Sequence, residues 1–273
     1  MRDYVDVENI RKWRDEIGVK KGVICDNGKV IFDEWPVPPH EQIISEFNTQ
    51  FTAQFLSIYL GTPHWPVFVN DGTSGIHLSK NESDVLDIRI PGPGRDKQPD
   101  AAWSLSRRPQ NPLENALAPL LPQQTNGDSF PSLVLEVGHS QSTPGLIGIR
   151  DRMLLPQTAI NVFVLIAYNR NATREIDSWY MQIAVRDYFA PPSSHLPPGM
   201  HIPPFVVVYE TPKIRGRYPK VNTPLAQESQ VYNLDTGHLY DPEPIPNLNP
   251  PLPVSFRIDI EQIRSTIFTC RRA

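Results

Sequence analysis

The chain has few cysteines and no long apolar run. Cys25 and Cys270 are its two cysteines, too few for a scaffold held by several disulfides or for a zinc finger with cysteine ligands. The longest apolar run, Val162 to Ala167, is strand-sized, whereas a helix needs roughly 20 residues to cross a bilayer. The charged first residues do not have the pattern of a signal peptide. These features predict an intracellular protein, cytoplasmic or nuclear, with no membrane partner.

Motifs of several enzyme classes are also absent. The seven histidines show no HExxH spacing, and the chain contains no GxSxG elbow, Walker loop or dinucleotide fingerprint. Charge of one sign is not in excess, because 26 basic and 30 acidic residues give a net charge of −4. This balance argues against a surface that is coated with nucleic acid, although a local basic groove is compatible with it.

Proline is the residue that the chain has in excess. Its 30 prolines are roughly twice the average usage, and they are dense at 191–204 and 242–253. With 39% hydrophobic and 21% charged residues, the chain is nevertheless expected to fold rather than to be disordered. We expect an N-terminal preface at 1–39, a core at 40–190 and a Pro-rich extension at 191–273 that wraps the core.

Hydrophobic periodicity predicts the main elements of this core. Apolar residues at three- and four-residue steps predict a helix from His40 to Leu60. Residues 132–138 and 160–168 are predicted as buried strands, and residues 144–155 between them as a helix. A strand, a helix and a strand in this order form a right-handed crossover, so the two strands should be parallel.

Shorter elements are predicted around this unit. A helix is expected at 7–17, a hairpin at 22–32, strands at 67–70, 75–78, 86–90, 99–103, 179–187 and 204–209, and a strand followed by a helix capped at Asp259 at 254–268. The stretches 107–132 and 211–254 are predicted to be mostly loop.

Two carboxylates lie in strand-like, apolar segments. Asp100 begins one segment, and Glu136 stands between leucines and valines in another. A carboxylate inside a buried strand costs several kcal/mol unless it is paired or binds a cation. Alternation puts Glu136 and Gly138 on one face, which leaves space beside the carboxylate. Two carboxylates on neighbouring strands can hold Mg²⁺, which polarises a phosphoryl oxygen and acidifies a water.

The same residues carry a resemblance to a known family. The stretches Pro99-Asp100-Ala-Ala-Trp103 and Glu136-Val-Gly-His-Ser-Gln-Ser142 resemble the motif of the PD-(D/E)XK nuclease superfamily, in particular its restriction-endonuclease-like branch of uncharacterised, fungal-type proteins. The resemblance covers about residues 35–190, including the leading helix. It implies a mixed central sheet flanked by helices, a Mg²⁺ or Mn²⁺ cofactor, and nucleic-acid phosphodiesters as substrate, with Asp100 and Glu136 as metal-binding catalytic residues.

One position departs from the family pattern. The superfamily has a lysine two residues after the glutamate, where this chain has Gly138. Some members supply the lysine from the next helix, and Arg150 lies there on the apolar side of the helical wheel. Arg150 can stabilise phosphoryl charge, but it stays protonated and cannot act as a simple general base. His139 and Gln141 are further replacements for the lysine.

The leading helix offers additional candidates. An acidic residue of this helix can complete the site in the superfamily. On the helical wheel His40 lies within the apolar stripe, Glu41 near its edge and Glu46 on the far side, so Glu41 is the preferred third metal ligand.

Each candidate also has a purely structural interpretation. Asp100 would be a turn or ladder-end residue, and Glu136 would form a buried ion pair, for example with Arg150. Arg150 would instead extend over the edge of its helix, and His139 would be a hydrogen-bonded residue at a strand end. Glu41 would interact with the helix N-terminus.

Three hypotheses therefore stay open. The first is a mixed α/β protein with a restriction-endonuclease-like fold that hydrolyses phosphodiesters with a divalent metal ion. The second is a non-catalytic binding protein on the same scaffold, which the glycine at 138 favours. The third is an unrelated Pro-rich α/β protein. Residues 213–220, with four basic residues in eight, would contact phosphates or form a solvated loop, and the oligomeric state is open.

Overall fold

The computed structural model describes separate stretches of the chain and is most continuous in the C-terminal third. The described residues are 23–26, 29–32, 38–59, 68–72, 76–78, 95–97, 100–105, 131–139, 147, 160–173, 175–191, 203–241, 245, 247 and 250–270. The predicted helix at 7–17 and the predicted strand at 86–90 lie outside them. Of the helix predicted at 144–155, Ile147 is described, and it is helical.

The described residues form an α/β structure with more strands than helices. Strands β1 to β12 are Val23–Asp26, Lys29–Phe32, Phe68–Gly72, Ile76–Leu78, Arg95–Lys97, Ala101–Leu105, Leu133–His139, Val162–Arg170, Ile176–Arg186, Phe205–Glu210, Val231–Asp235 and Ser255–Asp259. Helices α1 to α3 are Pro38–Tyr59, Gly237–Tyr240 and Ile260–Thr269, and a short 3-10 helix spans Gln227–Ser229. None of the described helices is long and apolar enough to span a membrane.

Six strands form the main sheet, in the order β10-β9-β8-β7-β6-β3. β7 and β8 are parallel, and the other neighbouring strands are antiparallel, so the sheet is mixed. The predicted parallel pair is therefore confirmed. Residues 131–138 and 160–168 are all buried, as expected for strands that are covered on both faces.

Two smaller sheets accompany the main sheet. One has the order β2-β1-β5-β4 and contains the predicted N-terminal hairpin, and the other pairs β11 with β12. The strand β11 was not predicted, because its five residues lie between loops and carry little periodicity. The predicted strand and helix near residue 259 are confirmed: Asp259 ends β12, and its side chain accepts a hydrogen bond from the N–H of Gln262.

Three phenylalanines of α1 pack this helix against one face of the main sheet, here called the helix face. Phe47, Phe51 and Phe55 are 1–2% exposed and have the spacing that predicted the apolar stripe. The ring centroid of Phe47 lies 5.5 Å from that of Trp103 in β6, and that of Phe55 lies 4.7 Å from that of Phe256 in β12. The leading helix therefore contacts both the main sheet and the C-terminal strand.

The two faces of the main sheet have separate apolar clusters. Odd-numbered residues of β7 face α1, with Leu133, Leu135 and Val137 in the cluster of the helix face. Val134 belongs to a second cluster on the opposite face. That cluster contains Ala102, Val134, Ile160, Phe163, Leu165, Ala167 and Tyr180, with Ile147, Phe205 and Tyr218 packed against it. Period-two alternation along β7 produces this division.

Two glutamines of α1 join the leading helix to the edge of β12. The side chain of Gln54 accepts from the N–H of Arg257 at 2.8 Å and donates to the carbonyl of the same residue at 2.8 Å. One helical turn earlier, Gln50 makes the same pair of bonds with Asp259, at 2.8 and 3.2 Å. The two amide side chains occupy the position that a neighbouring strand would take.

Candidate functional site

Asp100 lies at the end of the ladder between β6 and β7. The register pairs Ala101 with Leu135, so one further step puts Asp100 opposite Glu136. The backbone N–H of Asp100 donates to the carbonyl of Leu135 at 3.2 Å. The Oδ2 atom of Asp100 accepts from the N–H of Val137 at 2.7 Å. The carboxylate thus continues the hydrogen bonding of the ladder beyond the last residue of β6.

The first turn of α1 brings a histidine to the same carboxylate. The Nε2 atom of His40 lies 3.1 Å from Oδ1 of Asp100, and their side chains are 13% and 15% exposed. The Nδ1 atom of His40 lies 3.4 Å from Oε1 of Glu41, whose side chain is 51% exposed. Two carboxylates therefore flank one imidazole. The closer contact, between Nε2 and Asp100, would fix the orientation of the ring.

Glu136 lies in the middle of β7 and is 2% exposed. In the parallel register it pairs with Leu165, and alternation puts it on the same face as Val134. Alternation also assigns Asp100 to the face that contains Val134. Asp100 lies at the end of the ladder, however, and its carboxylate contacts His40, which belongs to the helix on the other face. The two acids thus lie opposite each other on adjacent strands. Asp100 contacts His40, whereas Glu136 is on the face of the second apolar cluster.

The remaining sequence candidates are only partly described. Arg150 and Gln141 lie outside the described residues. His139 is the last residue of β7, but its side chain is not described. Gly138, at the position of the motif lysine, is buried and pairs with Ala167. Neither glycine nor alanine supplies a charged group beside Glu136.

The donor set is compatible with a hard divalent cation in type and number. Asp100 and Glu136 provide carboxylate oxygens on adjacent strands, and Mg²⁺ is commonly held by one or two carboxylates with water and substrate phosphates. Within the described ranges, no group of three or more His, Cys, Asp or Glu side chains is arranged to hold a metal ion. A site here would therefore consist of the two carboxylates.

One relationship was not found from the sequence. His40 was a candidate without a partner, and the contact with Asp100 supplies that partner. A signal for it was present: His40 lies within the apolar stripe of its helix, so it had to face the sheet. Which sheet residue it would meet depends on the packing of α1, and the helical wheel does not contain that information.

Comparison with known proteins assigns no family. No protein-family model matches the chain, and no curated protein matches its sequence. The function is therefore inferred from the residues and their geometry.

Proposed function

We propose that this protein is a metal-dependent phosphodiester hydrolase with a restriction-endonuclease-like core, and that nucleic acid is its substrate. The observation that carries the proposal is the position of two acids on adjacent strands. Asp100 ends the β6–β7 ladder, and the register continues to Glu136. The resemblance of the sequence is supported by the order of the elements, in which α1 precedes the strands β3 to β7 and the parallel strand β8 follows β7.

The residues have distinct roles in this proposal. Asp100 and Glu136 would hold Mg²⁺ or Mn²⁺. The bound ion would supply Lewis-acid activation of the phosphoryl group and of a water. The N–H of Val137 and the imidazole of His40 hold the two oxygens of Asp100 in one orientation. Arg150 would stabilise negative charge that develops on the phosphate.

A second function has specific support. The missing lysine at Gly138 removes the group that would orient or deprotonate the water, and Asp100 already has protein partners on both oxygens. These observations favour a non-catalytic binding protein on the same scaffold. In that case Asp100 is a structural link between α1 and β7.

Metal titration separates the two functions. Calorimetry with Mn²⁺ on the wild type should show binding at one site, and Asp100→Asn and Glu136→Gln should each weaken it by at least about tenfold. Glu228→Gln is the matched control, because it removes the same charge from an exposed position in the 3-10 helix. A wild type that takes up no Mn²⁺ would rule out the hydrolase and leave the binding protein.

Activity is tested on nucleic acid directly. Supercoiled plasmid and labelled RNA, incubated with Mg²⁺ or Mn²⁺, should be cut by the wild type and by Glu228→Gln, and not by Asp100→Asn or Glu136→Gln. Cleavage that persists in both site variants would point to another site or to a contaminant. Metal binding at Asp100 and Glu136 without cleavage would favour the non-catalytic function.

A further inference from the structure

The segment after β10 forms a tight hairpin whose tip carries an arginine in an uncommon backbone conformation. Ile214 and Arg217 exchange two backbone hydrogen bonds, of 2.9 and 3.1 Å. The two residues between them, Arg215 and Gly216, have φ values of 51° and 75°. Positive φ at both central residues defines a type I′ turn. This turn fixes the direction in which the tip projects.

Arginine is a poor choice for the first position of such a turn. Gly is favoured there because it has no Cβ, and Asn and Asp because their short polar side chains hydrogen-bond locally, whereas other side chains are strained in the left-handed region. Among the described residues, Arg215 is the only non-glycine residue with positive φ. Backbone strain of this kind is often retained where the side chain has a function. The conformation of Arg215 therefore points to a function of its side chain.

The hairpin concentrates positive charge in a chain that is acidic overall. Residues 213–220 contain Lys213, Arg215, Arg217 and Lys220 and no acidic residue, whereas the whole chain has a net charge of −4. Lys213 lies 3.7 Å from Glu210, and Lys220 is paired with Asp177.

The two arginines at the tip differ from these lysines. Arg215 and Arg217 are both exposed, and no acidic side chain in the described part of the chain forms an ion pair with either. Their charges are therefore available to an external anion. Arginine also binds phosphate through two parallel hydrogen bonds, which a lysine cannot form.

The hairpin lies at the same end of the main sheet as the candidate site. β7 and β8 end there, β6 and β9 begin there, and β10 ends there before the hairpin. Tyr218 of the hairpin packs on Tyr180 of β9, with ring centroids 4.8 Å apart, in the cluster of the opposite face. Tyr180 continues the row of Gly138 and Ala167 across the sheet.

The distance across this row can be compared with the dimensions of a nucleic-acid duplex. With strands about 4.8 Å apart, β7 and β9 are separated by roughly 10 Å, which is about three base-pair steps of a duplex. A rod-shaped polyanion at this end of the sheet therefore covers the distance from β9 to β7 within about three base-pair steps.

We propose that the hairpin 213–220 is a phosphate-binding element that holds the backbone of duplex nucleic acid through Arg215 and Arg217. The choice of nucleic acid rests on the proposed function, whose substrate is a phosphodiester. A duplex is favoured over a single strand because the aromatic ring of the hairpin is already occupied. Tyr218 packs on Tyr180, and the ammonium of Lys213 lies 5.3 Å from its ring centroid. Single-strand binding uses aromatic rings that are open to stacking.

The test measures binding without metal, so that it is independent of hydrolysis. Fluorescence anisotropy with a labelled 20-base-pair DNA in EDTA, at several salt concentrations, gives the affinity and its salt slope. Each phosphate contact contributes about 0.9 to the slope of log K against log salt. Arg215→Gly and Arg217→Ala should each reduce the slope by about one, and the double variant by about two. Arg257→Ala, which removes one exposed charge from β12, should leave the slope unchanged.

The glycine variant separates a lost contact from a lost fold. Glycine tolerates positive φ, so Arg215→Gly should raise the melting temperature while it weakens binding. A higher melting temperature with unchanged affinity and slope would overturn the proposal. So would a wild type that does not bind duplex DNA in EDTA, or one that binds single strands more tightly than duplexes. A protein that binds the duplex through the arginines but takes up no Mn²⁺ would retain this inference and lose the proposed hydrolase.

Discussion

His40 and Asp100 connect two layers of the protein through a single contact. The Nε2 atom of the histidine lies 3.1 Å from Oδ1 of the aspartate, and the other carboxylate oxygen accepts from the N–H of Val137. His40 belongs to the first turn of α1, whereas Val137 belongs to β7. The carboxylate therefore fixes the start of the helix relative to the strand that contains Glu136, and this has consequences for stability as well as for binding.

Removing the carboxylate of Asp100 should destabilise the fold. Asp100→Ala leaves the N–H of Val137 and the imidazole of His40 without this acceptor, and a buried group that loses its partner costs about 1–3 kcal/mol. Asp100→Asn keeps one carbonyl oxygen as an acceptor, so its loss of unfolding free energy should be clearly smaller than that of Asp100→Ala. Urea denaturation monitored by tryptophan fluorescence measures both changes. Asp187→Ala is the control, because it removes an exposed bond to the N–H of Phe189. Equal losses for Asp100→Ala and Asp187→Ala would contradict the structural role of Asp100.

Removing the glutamine pairs should detach the C-terminal strand from α1. Gln50→Ala and Gln54→Ala each delete one accepted and one donated bond with β12, and each should cost about 1–2 kcal/mol. Gln54→Glu should be at least as damaging, because a carboxylate repels the carbonyl of Arg257 to which the amide donates.

Hydrogen exchange locates this effect. In the glutamine variants the amides of Arg257 and Asp259 should exchange faster, since both donate to these side chains. Gln262→Ala, at an exposed position of α3, is the matched control and should change neither exchange nor stability. If the amides of Arg257 and Asp259 stay equally protected from exchange in the Gln50→Ala, Gln54→Ala double variant, the two glutamines do not hold the edge of β12 to α1.

Replacing Arg186 even by lysine should lower the stability of the fold. Its side chain is 2% exposed, and its guanidinium donates to the carbonyls of Ile160 and Pro203 at 2.9 and 3.2 Å and lies 4.4 Å from the ring centroid of Phe205. Lysine lacks the planar fork that reaches both carbonyls, so Arg186→Lys should lose about 2–4 kcal/mol. Thermal and urea unfolding measure the loss. Arg257→Lys, at an exposed site, should be neutral, and a neutral Arg186→Lys would refute the prediction.

Alkaline pH should weaken the packing around Tyr209. Burial raises the pKa of this tyrosine to about 12, although a hydrogen bond with Thr211 acts in the opposite direction. Below pH 10 the phenol is neutral in the folded and unfolded states, and its contribution to stability is fully present. Between about pH 10 and 12 the unfolded phenol ionises first, so stability should fall as the pH rises.

Tyr209→Phe tests this pH dependence. Stability against urea, measured from pH 9 to pH 12, should fall less steeply in the variant than in the wild type. Part of the slope will persist, because burial and the nearby Asp235 also raise the pKa of Tyr232. Ultraviolet titration of the native protein should lose one high-pKa tyrosine in the variant. Identical slopes for the two proteins would contradict the assignment to Tyr209.

Local signals predicted the elements that depend on neighbours along the chain. Four-residue spacing of phenylalanines identified the buried stripe of α1. A strongly apolar stretch with one carboxylate identified β7, and a continuous apolar run identified β8 as a strand buried on both faces. The cap at Asp259 was predicted in the same way, since its bond reaches only three residues along the chain. The short strand β11 and the hairpin at Arg215 were missed, because neither has a periodic pattern and the hairpin lacks the Asn-Gly signal of its turn.

The residues of the candidate site were predicted from the sequence, but their contacts were not. Asp100, Glu136 and His40 were identified as candidates from residue type and pattern. That the carboxylate of Asp100 binds the N–H of Val137 and approaches His40 could not be derived, because it depends on the register at the end of β6 and on how α1 lies on the sheet.

The sequence by itself determined the long helix α1, the buried strands β7 and β8 and their apolar character, and that two acids occupy strand-like positions, because periodicity and capping are properties of adjacent residues. Only the tertiary structure decided the partners across the fold. The pair of Gln54 and Arg257 joins residues 203 positions apart, and the contact of His40 with Asp100 joins a helix to a sheet. Which distant residues meet is determined by how whole helices and sheets pack, because this packing buries far more surface than any one side chain.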